Sequence, residues 1–355
     1  MFPKDYWYVL CESTELSGSL FARTILNMPL VAYRAPSGEV VVLEDFCPHR
    51  GLPLSLGKIE SEGVRCGYHG MLVGRDGRCQ SMPGQPHINR LRGVKSFAVL
   101  EKFGFVWVWY GEAEHADATK LPPLPWGEGT GWTHGGGVFQ VGCNYQFLID
   151  NLMDLTHETY VHPTSLGQKE IDHAKPELSL DGDEVFLTRW MTDVKPAPFW
   201  AVMINTEKNC DRWQICHFAP PSNVFIDVGV ALTGTGAPQG DRSQGITGLV
   251  INLMTPETET TSWHFWGMAR NFKVDDTAVT DLIRKNQGSV VLEDNVVLAA
   301  QQQNVLRNPE RRLVNLDIDR GGSNARKIIE RICSQQLAAQ RLGMGAAEAE
   351  AAHGD

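Results

Sequence analysis

Four metal-type side chains stand in two short clusters, Cys47-Pro48-His49 and Cys66-Gly67-Tyr68-His69, with the 16 residues 50–65 between them. This pattern constrains the fold more than any other feature of the chain. It demands two loops lying side by side, each delivering one thiol and one imidazole to a common point. Glycines flank both pairs (Gly51, Gly67, Gly70), where backbone approaches closely without a Cβ in the way. Zinc sites more often pair like ligands, Cys with Cys and His with His, so zinc fits this order poorly. With 8 cysteines in 355 residues the chain is far from a disulfide scaffold. Cys143, Cys210, Cys216 and Cys333 have no ligand spacing and read as small hydrophobes.

Two thiolates on one iron and two neutral imidazoles on the other are the ligands of a Rieske [2Fe-2S] centre, whose imidazoles raise the reduction potential above that of an all-Cys cluster. Cys47, His49, Cys66 and His69 match that set in order and spacing. Around them lie short β-rich runs broken by turn chemistry, Pro36-Ser37-Gly38 and Asp76-Gly77 among them, which predict a small antiparallel domain over residues 1–112. The Pro- and Gly-rich segment 113–131 is the linker candidate. Charge divides near the same point, with 12 basic and 11 acidic side chains up to residue 112 against 20 and 31 beyond it. Residues 132–342 carry a helix-like segment at 144–162 and then grouped strands at 184–191, 212–218, 224–232, 248–254 and 261–269. Helical patterns follow over 275–306 and from 323 to about 341. Strands grouped between helices predict an α+β domain, not alternating βαβ units. The Ala/Glu/Gly-rich stretch 343–355 reads as a disordered tail.

A cluster alone carries electrons, and the first domain would suffice for that; the rest of the chain needs a second purpose. Asn151, Asp154 and His157 sit at i, i+3 and i+6, on one helical face. His162 lies five residues past His157, about 140° around a regular helix, which would not converge both rings. Pro163 pushes His162 out of helical geometry, and a terminal turn or π-bulge could swing the ring back. Two histidines and one carboxylate on one face of a metal, with open positions opposite, form the site of non-haem Fe(II) oxygenases. The helical run 290–298 offers the carboxylate: Asp294 shares a face with Val290, Val291, Val297 and Leu298, and Glu293 is barely worse on periodicity alone.

Several classes are excluded. A net charge of -10, from 42 acidic against 32 basic residues, leaves no electrostatic footprint for nucleic acid. No apolar run reaches the length of a membrane span, so no membrane association is expected. Residues 1–5 lead straight into Tyr6-Trp7-Tyr8 with no basic n-region or small-residue cleavage site, which predicts a cytoplasmic protein.

The stretches FCPHRGLPLSLG (46–57), CGYHG (66–70), SMPGQ (81–85), DNLMDLTHETYVHPTSLGQ (150–168), RWQIC (212–216), WGMARNF (266–272) and 293–304 together resemble the oxygenase components of Rieske non-haem iron aromatic-ring enzymes, most closely the vanillate O-demethylase family. The resemblance implies an all-β Rieske domain followed by a helix-grip catalytic domain of antiparallel sheet plus helices. It implies that Cys47, His49, Cys66 and His69 hold the cluster and that His157, His162 and Asp294, rather than Glu293, hold mononuclear Fe(II). Asp154 would bridge a cluster histidine of one subunit to an iron histidine of its neighbour, with Asn151 beside the iron. Electrons crossing that boundary imply a ring, a homotrimer. They would arrive from NAD(P)H through a separate reductase carrying flavin and a plant-type [2Fe-2S] domain, since this chain holds neither a G-x-G-x-x-G fingerprint nor a Cys-x4-Cys-x2-Cys run.

The activity implied is O2-dependent O-demethylation of a small aromatic acid, vanillate to protocatechuate plus formaldehyde. Related aryl acids such as syringate, a methoxylated chlorobenzoate or toluenesulfonate are alternatives, and electron carriage without oxygenation is the alternative of another class. Arg212, His217, His264 and Arg270 are candidates to meet a substrate carboxylate, and the tryptophans to line the pocket with them. Trp107 and Trp109 alternate in a strand and read as packing.

Overall fold

A computed structural model of the chain describes residues 1–87, 93–127 and 131–352. Residues 128–130 of the predicted linker and 353–355 of the predicted tail lie outside it. The chain divides into two compact units. One comprises Asp5–Gly127 with Thr255–Glu259, and the other Met1–Lys4, Glu128–Met254 and Thr260–Asp355.

Among the described residues the first unit is built of three small antiparallel sheets. Tyr6–Glu12 pairs with Phe105–Tyr110, which pairs with Val99–Lys102. Trp107 and Trp109 are buried in that sheet, and Trp109 meets Trp7 edge-on at 5.2 Å, so both are packing residues. Met28–Arg34 is the centre of a second sheet, between Phe21–Ile25 and Val40–Glu44. The third runs Lys58–Glu60, Gly63–Arg65, Leu72–Gly74 and Cys79–Ser81. A single core of Val31, Tyr33, Val41, Leu43, Leu54, Val64 and Val73 joins the last two sheets, and Cys47 and Cys66 belong to it. Burial of that core fixes the distance between the two cysteine loops.

The second unit is an antiparallel sheet of seven strands among the described residues. Its order from one edge is Glu177–Asp181, Glu184–Val194, Cys210–Ala219, Asn223–Leu232, Gly245–Pro256, Ser262–Arg270 and Thr133–Val141. Apart from the last, the strands follow chain order as a meander, which needs only short connections. Three sequence runs were not expected to be regular. Thr133–Val141 contains Gly135, Gly136 and Gly137, a composition that reads as loop, yet the Trp266 ring fills the space a Cβ at Gly137 would enter, at 3.1 Å. Glu177–Asp181 is a mostly exposed edge strand whose apolar face is only Leu178 and Leu180. Pro198–Ile204 forms a short helix with proline at its start, a position that favours one.

Two long helices complete the unit. Thr277–Arg307 is capped by Asp276, whose carboxylate accepts from Val279 N at 3.1 Å. Its buried stripe includes Ile283, Val291, Asp294, Leu298 and Gln302. Arg270, fully buried, donates to Phe272 O, Lys273 O and Asp276 O and so pins the start of this helix to the sheet. The last helix, Arg320–Ala352, continues through 343–352, where composition pointed to disorder; alanine and glutamate there are strong helix formers. Among the described residues no helix is long and apolar enough to cross a membrane.

Candidate functional site

The two cysteine loops are near copies. Cys47 N donates to Leu52 O and Gly51 N to Cys47 O, both at 2.8 Å; Cys66 N donates to Met71 O at 2.8 Å and Gly70 N to Cys66 O at 3.2 Å. Each loop closes on a glycine with left-handed backbone, Gly51 at φ 73° and Gly70 at φ 74°, a conformation that any Cβ would strain. Both thiols are buried while His49 and His69 are exposed, their ring centroids 4.6 Å apart. Burial pushes the Cys47 thiol up; the His49 and Arg50 backbone N–H groups oppose this, and the adjacent Cys66 adds to it. Sulfurs facing backbone donors and each other, under two exposed imidazoles, form the donor set that a [2Fe-2S] cluster takes up.

The second centre is made by a broken helix. Asn144 caps Tyr145–Leu152, and the chain leaves the helix at Met153. Asp154 then caps a single 3₁₀ turn, Leu155–His157, its carboxylate accepting from Thr156 N at 3.0 Å and from Thr156 Oγ1 at 2.7 and 2.8 Å. One further turn, Glu158–Val161, ends at His162 with φ -119°. The 144–162 segment is therefore not one helix, and the departure of His162 from helical backbone brings together two rings that a regular helix would hold apart, their centroids 5.4 Å from each other.

His157, His162 and Asp294 present ligand atoms that all lie within 4.8 Å of one another. Asp294 Oδ1 is 3.1 Å from His162 Nε2, 3.4 Å from His157 Nε2 and 3.3 Å from Asn151 Nδ2. The opposite ring nitrogens are taken: His157 Nδ1 meets the Asp154 backbone O at 2.7 Å and His162 Nδ1 meets Glu293 Oε2 at 2.6 Å. Those acceptors require protons on both Nδ1 atoms. In the neutral rings, both Nε2 lone pairs then point at a carboxylate oxygen, an arrangement that repels unless a cation sits between. Burial alone would depress the His162 pKa, yet the hydrogen bond and charge of Asp294, with Glu293 and Glu158 behind them, hold it above its ordinary value. The pocket attracts positive charge, as a site for a divalent ion must, and two imidazoles with one carboxylate suit Fe(II).

These groups line a cavity of about 530 Å³ whose wall is largely apolar, with Leu152, Phe199, Trp200, Met203, Val228 and Met268 facing it. Of the four candidates for meeting a substrate acid, Arg212 and His264 line the cavity. His217 does not: it pairs with Glu184 at 2.9 Å and stacks on Phe186. Arg270 is not in the cavity wall either; its Nε and Nη2 are committed at the helix start. Arg212 already has partners in Glu158 Oε2 at 3.2 Å, Gln168 Oε1 at 2.8 Å and Leu166 O at 3.3 Å. His264 Nε2 meets Asn252 Oδ1 at 2.9 Å, and complete burial depresses its pKa to about 4.

Two features escaped sequence reasoning. Glu158, 6% exposed, is held by Arg212 and by Gln214 Nε2 at 2.9 and 3.0 Å, which ties the turn between the histidines to the sheet. Its signal was the alternation of Arg212 and Gln214 in an otherwise apolar strand, polar residues on a buried face that need a partner. Glu293 was weighed as a ligand, but it occupies the far edge of the His162 ring.

A [2Fe-2S] donor set and a non-haem iron donor set in one chain define the class, a Rieske non-haem iron oxygenase component. Residues 6–98 match the Rieske [2Fe-2S] domain model and residues 141–335 the model of the vanillate O-demethylase oxygenase C-terminal domain. The chain is 45% identical to the vanillate O-demethylase oxygenase subunit of Pseudomonas sp. strain HR199, over 95% of this chain and 96% of that one. It is 36% identical to the iron-sulfur subunit of the toluene-4-sulfonate monooxygenase system of Comamonas testosteroni, over 94% and 97%. A solved structure of dicamba monooxygenase with non-haem iron and dicamba superposes with a TM-score of 0.80 at 30% identity, covering 95% of this chain and 98% of that one. The chain belongs to the vanillate O-demethylase oxygenase family of Rieske non-haem iron enzymes.

Proposed function

We propose that this chain is the terminal oxygenase of a vanillate O-demethylase, converting vanillate to protocatechuate and formaldehyde. The observation that carries the reading is the convergence of His157, His162 and Asp294 on one point in the wall of a largely apolar cavity, in a chain that also holds a Rieske donor set. Cys47, His49, Cys66 and His69 hold the cluster; His157, His162 and Asp294 hold mononuclear Fe(II). When bound, the two groups supply reductive activation of O2, two electrons in all, one from each centre. The methyl C–H becomes C–OH and the second oxygen atom leaves as water with two protons. The resulting hemiacetal then breaks at its methyl-side C–O bond, its hydroxyl proton passing to the phenolic oxygen as formaldehyde departs.

The chain's own residues orient and enclose. Asn151 Nδ2 holds Asp294 Oδ1, so the carboxylate keeps one rotamer. Phe199, Trp200 and Met203 form apolar wall that suits an aromatic ring and excludes water. Asp154, whose carboxylate Thr156 holds in place, bridges to the neighbouring subunit's cluster histidine, and the oligomer is a closed trimer, since a head-to-tail contact that closes makes a ring. A separate reductase with flavin and a plant-type [2Fe-2S] domain delivers electrons from NAD(P)H. The functional division of the chain falls within 113–131. Beyond the two cluster cysteines, six buried cysteines that form no disulfide support a cytoplasmic location.

The test is anaerobic reduction of the iron-replete protein with its reductase, followed by O2 and vanillate. Equal formaldehyde and protocatechuate are expected. Peroxide without formaldehyde removes vanillate and leaves another aryl acid, a reading the sulfonate relative supports; no O2 consumption at all leaves only electron carriage.

A further inference from the structure

We propose that Glu293 is the positioning residue of the mononuclear iron site, acting through His162. The inference rests on the reading that His157, His162 and Asp294 hold iron. Glu293 and Asp294 are consecutive on a helix, so their side chains leave it about 100° apart, and the pair brackets one imidazole. Asp294 faces Nε2 at 3.1 Å and Glu293 accepts from Nδ1 at 2.6 Å. An aspartate at 293 would be one methylene shorter, and the contact is already close. The Nδ1–H survives when a metal replaces the proton at Nε2, so this hydrogen bond is compatible with the loaded site.

The two histidines differ in how they are held. His157 leans on a backbone carbonyl, which fixes its ring without adding charge. His162 leans on a carboxylate, which fixes the ring, keeps the proton on Nδ1 so that Nε2 is free to bind metal, and makes the imidazole a stronger donor. The ring itself is 1% exposed, whereas the Glu293 side chain is 48% exposed, so the lever lies at the surface and its substitution leaves the core intact. Among the described residues no other side chain meets His162 Nδ1.

The test uses full-length protein stripped of mononuclear iron with the cluster retained. Fe(II) affinity is measured anaerobically against a competing chelator, and the EPR spectrum of the nitric oxide adduct reports ligand geometry. Glu293→Ala is expected to weaken Fe(II) binding about 10- to 100-fold, the usual cost of removing such an outer partner, and to change the adduct spectrum while the cluster spectrum stays as in the parent. Glu293→Gln, which keeps an acceptor oxygen without the charge, is expected to fall between. Parental affinity and an unchanged adduct spectrum in Glu293→Ala, with iron lost in Asp294→Ala, would overturn the role of Glu293 and leave the iron site standing. Iron retained in Asp294→Ala would overturn the site and the inference together. Should Glu293→Ala not fold, parental affinity in Glu293→Gln overturns the proposal.

Discussion

The buried ion pair behind the histidine turn can be weighed by a double-mutant cycle. Glu158 accepts from Arg212 Nη2 at 3.2 Å and from Gln214 Nε2 at 2.9 and 3.0 Å, and both charged residues are almost wholly buried. Glu158→Gln replaces one acceptor oxygen with an amide that faces donors. Hydrogen bonds to charged groups contribute about 1.5–3 kcal/mol each, and removing one partner of a buried pair costs about 3–5 kcal/mol. Arg212 keeps Gln168 and Leu166 as acceptors, which places the expected loss at the low end, ~3 kcal/mol. For a domain of this size that lowers Tm by about 6–12 °C. Iron occupancy falls with it, because Glu158 lies in the turn that sets His157 against His162. Glu158→Leu and Arg212→Met should each destabilise comparably, yet the double variant should lose much less than their sum, with a coupling of about 2 kcal/mol or more. Thermal unfolding and iron content of the four proteins decide the matter. Additive losses, or a Glu158→Gln protein as stable as its parent, would refute the reasoning.

Three further outcomes are expected. His264 is held neutral down to about pH 4 in the folded chain but titrates near 6.5 when unfolded. Below 6.5 the unfolded state alone takes up the proton, so stability falls as pH drops from 6.5 to 4, by up to ~3 kcal/mol. Urea unfolding of chelator-treated protein against His264→Gln checks this, and equal slopes would contradict it. Burial pushes the Cys11 and Cys143 thiols up to about 12, so neither should be alkylated by iodoacetamide at pH 8 until the chain unfolds; peptide mapping that finds them labelled in folded protein would count against that packing. Asp154→Asn keeps the cap on Thr156 N and should retain both metal centres while slowing cluster-to-iron transfer; unchanged single-turnover kinetics would count against the bridge.

The strands were legible because alternation and turn chemistry agree: Gly38 and Gly77 stand at turns with φ 88° and 78°, between runs that pair. The helix-like segment 144–162 was less so. Its polar and apolar spacing continues through the break, but the Asp154 carboxylate offers Thr156 N a local partner that a continuous helix would have to forgo. On the Thr277–Arg307 helix, periodicity placed Asp294 on the buried stripe with Val291 and Leu298. Val297, assigned the same face, is 45% exposed, since three residues on a helix leave a flank position about 60° away.

The ligands and their supports differ in legibility for a physical reason. A ligand must sit where backbone geometry aims it, so residue type and spacing carry the signal: Cys47 with His49, Cys66 with His69, His157 with His162. A support need only reach. Glu293 wraps a long side chain from the exposed side of its helix to a ring 131 positions away in sequence, and Gln214 meets Glu158 across 56. Neither distance leaves a period, and no local rule separates Glu293 from Asp281, the solvated acid of the same helix. What marks it is the demand of the imidazole: once Nε2 is committed to the metal, Nδ1 carries a proton that needs an acceptor, and a buried donor is seldom left without one. The search for such supports therefore runs backwards, from each assigned ligand atom to the group that must satisfy its other side.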